Sequence, residues 1–186
     1  RHPKITEYTT IWMDTLRDGK SQLVNTNKLI RSYQGITGLK TGTTSQAGSC
    51  ITATAERDGL ELIGVVLGAD STDHRFQDAA ALLDYGFANW KVVVPELPAL
   101  ERVPVSRGMT SDVAPQAGES PKLLLQSTET GEVETNVSWK ELVAPISKGD
   151  VIGTVQYTLN GETLAQVEIT AGEDVEAVTF SSALGY

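Results

Sequence analysis

The sequence predicts an α+β fold in two regions, helices mixed with strands up to about residue 94 and a small all-β region from 95 to 186. Three observations predict it. An amphipathic helical period runs from about residue 70 to 90, and the Asp58-Gly59 and Asn160-Gly161 pairs each join two strand-like runs. Pro95, Pro98 and Pro104 then cluster where helical periodicity stops.

In chain order, Thr6 to Leu16 carries Tyr8, Ile11, Trp12 and Leu16 at spacings of three and four, which predicts an amphipathic helix ended by Asp18-Gly19. Asn25-Thr26-Asn27 reads as a loop. Ser49 to Glu56 reads as a strand, Arg57-Asp58-Gly59 as a tight turn, and Leu60 to Gly68 as the return strand. The return strand is apolar without alternation, which predicts burial on both faces and a central or helix-covered position. Asp70-Ser71-Thr72-Asp73 offers caps for a helix to about Trp90, with Phe76, Ala79, Ala80, Leu83 and Phe87 as its apolar stripe. Gly86 weakens its last turn. Beyond residue 94, Lys122–Gln126, Val151–Leu159 and Leu164–Ile169 read as strands, with turns at Thr130-Gly131, Lys148-Gly149-Asp150 and Asn160-Gly161.

Composition narrows the function. The chain has 186 residues, 40% of them hydrophobic, enough for a real core. No apolar run approaches the roughly 18 residues of a membrane span. Residues 1–92 hold 10 Lys+Arg against 10 Asp+Glu, and residues 93–186 hold 5 against 14, so the whole net charge of −9 lies in the second region. An acidic surface argues against nucleic acid, whose phosphates need basic partners, and against a flat membrane-binding face. Cys50 is the only cysteine, so no internal disulfide or cysteine-rich metal site forms; its neighbours suggest a small buried strand residue. His2 and His74 have no partner cluster that suggests a metal, and His74 reads as a solvated helix residue.

The stretch richest in chemistry is Gly38-Leu39-Lys40-Thr41-Gly42-Thr43-Thr44, just before the strand pair. It is not a phosphate loop, because Leu39 stands where glycine must precede the lysine. In an ideal pleat Lys40 and Gly42 share one face while Leu39 and Thr41 share the other, so a site that uses both Lys40 and Thr41 needs twist or a bulge. A strand at the edge of a cleft can pair with a peptide as an added strand, and Gly42 lets a substrate backbone come close.

The order of features around this stretch is more specific than the tripeptide. Asn25-Thr26-Asn27-Lys28-Leu29 precedes it, Ala47-Gly48 and the hairpin follow, and Arg75 stands near a helix start. In the second region, Ala144-Pro145-Ile146-Ser147-Lys148-Gly149-Asp150-Val151-Ile152-Gly153-Thr154 precedes Leu159-Asn160-Gly161-Glu162. Together these resemble the D-alanyl-D-alanine carboxypeptidases, the low-molecular-mass penicillin-binding proteins, over nearly the whole chain. The resemblance implies the C-terminal part of a β-lactamase/transpeptidase-like domain, an antiparallel sheet with helices, followed by the family's small β-domain. It implies a serine that attacks the bond between two D-alanines, an acyl-enzyme, and release by water.

By the same resemblance, Lys40 and Thr43 take catalytic positions. Lys40 supplies positive potential and the Thr43 backbone N–H is an oxyanion donor. Lys40, Thr41, Gly42, Thr43 and Arg75 bind substrate, with the Thr41 hydroxyl and the Arg75 guanidinium on the terminal carboxylate. A second reading of Arg75 is a surface helix charge beside Asp73 and Asp78. The implied partners are the peptidoglycan stem peptide and β-lactams, and no cofactor or metal is implied. Action outside the cytoplasm is implied, at the outer face of the bacterial cytoplasmic membrane or in the wall, with membrane attachment only through parts not in this chain.

The departure from the family is large. Neither Ser-x-x-Lys nor Ser-x-Asn occurs, and Ser120-Pro121-Lys122 and Ser138-Trp139-Lys140 have the wrong spacing to set a lysine one helical turn from a serine. Without a nucleophile no acyl-enzyme forms, so this chain alone is expected to be inactive, with uncovered apolar surface on its hairpin and helix. The family's amphipathic anchor is not visible after Val175–Phe180, where the chain runs out at Ala183-Leu184-Gly185-Tyr186. A class A β-lactamase shares the Lys-Thr-Gly strand but ends soon after its terminal helix. A non-catalytic cell-wall or protein-interaction module is the remaining alternative.

Overall fold

The computed structural model describes residues 2–179; the expectation for residues 180–186 lies outside the described residues. A 3-10 turn, Pro3–Ile5, leads into α1 (Thr6–Thr9), β1 (Met13–Leu16), β2 (Ser21–Val24) and α2 (Leu29–Ser32). Then come β3 (Ile36–Thr44), β4 (Gly48–Arg57), β5 (Leu60–Ala69), α3 (Thr72–Asn89) and β6 (Trp90–Val93). The rest is all strand: β7 (Val103–Pro104), β8 (Asp112–Val113), β9 (Pro115–Ala117), β10 (Leu123–Gln126), β11 (Glu134–Trp139), β12 (Val151–Leu159) and β13 (Glu162–Ala171). The chain divides into two compact units, Arg1–Val92 with Leu124–Thr128, and Val93–Leu123 with Glu129–Tyr186.

The first unit is built on an antiparallel sheet in the order β3-β4-β5. Asp58 and Gly59, at φ 50° and 78°, make the tight β4–β5 turn. Ser71 caps α3, its side chain accepting from the His74 N–H at 3.0 Å. Phe76, Ala79 and Leu83 of α3 pack on Ile51, Ala53, Ala55 and Val66, forming one buried cluster with Leu29. Gly86 serves packing here: a Cβ there would lie 2.5 Å from Leu62 Cδ1, so its absence lets the helix close on β5. Arg57 stacks over the rings of Tyr33 and Phe87, at 4.7 and 4.4 Å. Tyr33 donates to Asp84 at 2.7 Å, and burial together with that carboxylate pushes its hydroxyl up to about 12.

Three expectations for this unit need correcting, the third being that Cys50 is buried. The helix over Thr6–Leu16 is only the four residues of α1; Met13–Leu16 pairs instead with Ser21–Val24 as a hairpin. Asp18-Gly19 does not end a helix but forms the hairpin turn, with Arg17, Asp18 and Gly19 all at positive φ. The apolar period misleads because it has no core to face: Tyr8, Ile11 and Leu16 are 60%, 43% and 50% exposed. The second correction concerns β5, which is an edge strand covered by α3 on one face only. Its other face presents Ile63, Val65 and Leu67, at 72%, 52% and 76% exposure. Cys50, pointing away from α3, is only half-buried; its thiol bonds to the Ala47 carbonyl and accepts from the Gly68 N–H.

The second unit carries a sheet in the order β11-β12-β13-β9. The Asn160-Gly161 turn, at φ 52° and 83°, joins β12 to β13. Its core is Val113, Ile152, Val155, Tyr157, Ile169 and Val175 with the smaller residues around them. Tyr157 is 0% exposed, and its hydroxyl has no partner among the described residues. Tyr157→Phe is therefore expected to stabilise the chain by about 1 kcal/mol, since the unpaired hydroxyl is removed without changing the packing. Denaturant unfolding checks the sign; a loss of stability would mean the hydroxyl is bonded to buried water. Among the described residues no helix is long and apolar enough to cross a membrane.

Candidate active site

Among the described residues β3 pairs with β4 alone, so its other side is a sheet edge with no partner strand. The register is unbroken from Leu39↔Ala53 to Thr44↔Gly48; the irregularity falls earlier, between Ile36 and Gly38. The ideal alternation therefore holds across the whole Lys-Thr-Gly stretch. Thr41 and Thr43, opposite Ile51 and Ser49, lie on the face that α3 covers, and Lys40 and Gly42, opposite Thr52 and Cys50, lie on the other. No bulge is needed for both sets to be used, because a molecule lying along a free edge can be reached from either face.

Gly38 holds the entry to this strand. It has φ 145°, and a Cβ there would come within 2.6 Å of Thr9 Oγ1. The Thr9 hydroxyl instead donates to the Thr37 carbonyl at 2.7 Å, fixing α1 against the start of β3. Gly42 differs: a Cβ there would meet nothing within 4 Å, so packing inside this chain gives no reason for a glycine.

Arg75 sits in the first turn of α3 and is 5% exposed, so it is not the surface charge of the second reading. Its Nη1 donates to Thr43 Oγ1 at 3.0 Å, to the Gly42 carbonyl at 3.3 Å and to the Cys50 carbonyl at 3.5 Å. Its Nε is buried without a partner, and among the described residues no carboxylate pairs with it. A buried guanidinium with only neutral acceptors is a site of unbalanced positive charge. Its neighbour Lys28 is paired elsewhere, with Asp73 at 2.9 Å, which holds that exposed carboxyl below its ordinary value. His74 is exposed and belongs to none of these contacts.

Thr41 is 8% exposed, and its hydroxyl lies 2.6 Å from that of Thr26. In the sequence Thr26 reads only as part of a loop, and a hydroxyl pair 15 residues apart leaves no local signal. Lys40 joins none of this: it is exposed on the uncovered face, and its ammonium donates to the Thr41 carbonyl of its own strand. The structure thus gathers Gly42, Thr43 and Arg75 in one cluster and sets Thr41 beside Thr26. Lys40 stands on the opposite face. Among the described residues no group of acids, histidines and cysteine is placed to hold a metal.

Residues 1–71 match the D-alanyl-D-alanine carboxypeptidase family, and residues 94–177 match the C-terminal domain of penicillin-binding protein 5. The D-alanyl-D-alanine carboxypeptidase DacF of Bacillus subtilis is 32% identical over 97% of this chain and 48% of its own length. DacC of Escherichia coli is 34% identical over 82% of this chain and 39% of its own. The chain therefore spans about half the length of the curated relatives it matches. Among solved structures, penicillin-binding protein 5 of Haemophilus influenzae superposes with a TM-score of 0.71 at 28% identity, over 92% of this chain and 51% of that one. A peptidoglycan synthesis regulatory factor (PBP3) of Streptococcus pneumoniae superposes with a TM-score of 0.62 at 27% identity, over 94% and 53%. With both of its regions matched in the same order, the chain belongs to the D-alanyl-D-alanine carboxypeptidase family and corresponds to the C-terminal part of a low-molecular-mass penicillin-binding protein.

Proposed function

We propose that the polypeptide carrying this chain is a serine-type D-alanyl-D-alanine carboxypeptidase that trims peptidoglycan stem peptides outside the cytoplasm. This chain supplies the wall of the cleft that grips the peptide's terminal carboxylate. The observation that carries the reading is Arg75, a buried cation with no acid to balance it, bonded to Gly42 and Thr43 at a free strand edge. A terminal carboxylate is the complementary charge, and the β3 edge offers backbone pairing to the residues before it.

In this reading Thr41 donates its hydroxyl to the carboxylate, and Gly42 leaves open the space into which the substrate backbone comes. The Thr43 N–H helps hold the oxyanion as a serine from outside this chain attacks. Losing one such donor typically costs a factor of about 10²–10³ in rate. Lys40, on the uncovered face, adds positive potential toward the segment that brings that serine. The D-alanine leaves, and water releases the acyl group. β-Lactams, which carry an equivalent anion, acylate the same serine. We place the boundary between this domain and the β-rich domain at about residue 94.

Labelled penicillin tests the proposal. The isolated chain is expected to take up no covalent label and to turn over no diacyl D-alanyl-D-alanine peptide. The polypeptide that unites it with a nucleophile-bearing half is expected to do both. Burst acylation of the isolated chain, or a united polypeptide that neither acylates nor releases D-alanine, overturns the reading.

A further inference from the structure

The Asn25-Thr26-Asn27 loop is held far more firmly than a connector needs. Asn25 Nδ2 donates to the Thr9 and Ile11 carbonyls at 3.2 and 3.0 Å, and its Oδ1 accepts from the Asn27 N–H at 2.9 Å. The Asn25 N–H donates to the Trp12 carbonyl at 2.8 Å. Asn27 is 1% exposed, and its Oδ1 accepts from the Leu29 N–H at 3.1 Å. Between these two anchored asparagines Thr26 remains exposed as a residue, yet its hydroxyl is set 2.6 Å from that of the buried Thr41.

A threonine hydroxyl has one proton and two lone pairs. At this separation one of the two hydroxyls donates to the other. A carboxylate only accepts, so when an anion lies against Thr41 the Thr41 proton must point at it. The bond to Thr26 then survives in one direction only, with Thr26 donating to Thr41 Oγ1. A donor on that oxygen polarises the Thr41 O–H and strengthens its bond to the anion. It also fixes the side-chain rotamer before any ligand arrives, which lowers the ordering cost of binding.

Resting on the carboxypeptidase reading above, we infer that Thr26 is a positioning residue, whose hydroxyl donates to Thr41 and aims the Thr41 proton at the substrate's terminal carboxylate. It touches no substrate atom itself. The effect is specific to charge: a ligand with the same shape but a neutral end offers Thr41 a weaker acceptor and gains less from the polarised hydroxyl.

The test uses the polypeptide that unites this chain with its nucleophile-bearing half, and compares a D-alanyl-D-alanine peptide with its C-terminal methyl ester. Thr26→Val keeps the shape and removes the donor. It is expected to lower kcat/KM for the free acid by about tenfold, the loss of one bond between neutral hydroxyls together with the weakened bond from Thr41 to the charged end, and for the ester by less than about twofold. Thr26→Ser is expected to restore the acid-over-ester preference, and Thr26→Ala to repeat the valine result. A Thr26→Val variant that keeps the unsubstituted preference, whether both rates fall together or neither does, overturns the inference and leaves the carboxypeptidase reading standing. An unsubstituted polypeptide that takes up no labelled penicillin removes both.

Discussion

Replacing Arg75 by methionine is expected to leave the isolated chain as stable as before, or more stable. In the united polypeptide the same change should lower kcat/KM for a peptide with a free carboxylate by about 100-fold, the worth of a charge-assisted contact of roughly 3 kcal/mol. The two signs follow from one fact. Arg75 is 5% exposed, and among the described residues its acceptors are two backbone carbonyls and a hydroxyl. Removing a charge from water without an opposite charge to meet it is costly, and exchanging buried ionic groups for apolar side chains of similar volume is often neutral or stabilising. Methionine fills the space and adapts to its shape. The contacts Arg75 makes within the chain, the Phe76 ring at 4.8 Å among them, leave its charge unmatched, and on the reading proposed above its match is an anion from outside the chain. Arg75→Lys is expected to recover part of the activity, since it returns the charge but not the planar fork. Urea unfolding of the chain and steady-state kinetics of the united polypeptide make the comparison. A methionine variant that loses several kcal/mol of stability and keeps its preference for the free acid would show Arg75 to be a structural cation.

How far the sequence disclosed this molecule depended on how local each signal was. Asp58-Gly59 and Asn160-Gly161 were legible because a tight hairpin needs positive φ at both positions, and these residue pairs accept it. The helix Thr72–Asn89 was legible through five turns of period and a serine cap. The hairpin Met13–Val24 was not, because spacings of three and four imitate a helix even when tertiary packing never uses the stripe. Strand Glu134–Trp139 is not legible in the sequence because every residue in it is exposed, so no burial pattern marks it. At the site, the Lys-Thr-Gly stretch and Arg75 could be named from their order in the chain. That Arg75 is buried under Thr43 could not, because it depends on where α3 begins relative to the sheet edge, and that is set by the Asp70–Ser71 turn together with the packing of Phe76. The Thr26–Thr41 pair is a purely tertiary feature.

The exposed face of β5 gives the prediction with the largest effect on stability, and with opposite consequences in two settings. Ile63, Val65 and Leu67 stand on the face that α3 leaves bare, and β5 is also a free sheet edge. An apolar edge of this kind is a template for association. Changing all three to threonine keeps β propensity and removes the apolar patch. In the isolated chain the triple variant is expected to self-associate less, with stability unchanged to within about 0.5 kcal/mol per site, as for exposed positions generally. In the united polypeptide the same variant is expected to lose about 4.5–9 kcal/mol, since fully burying each such side chain contributes about 1.5–3 kcal/mol. Lys40 and Gly42 lie on this same face, so whatever packs over Ile63, Val65 and Leu67 also approaches the strand that carries them. Light scattering of the chain and denaturant unfolding of the longer polypeptide read the two arms. A triple variant as stable as the unsubstituted protein in both settings would mean that this face stays in water, and the second wall of the cleft would then have to come from the β3 edge alone.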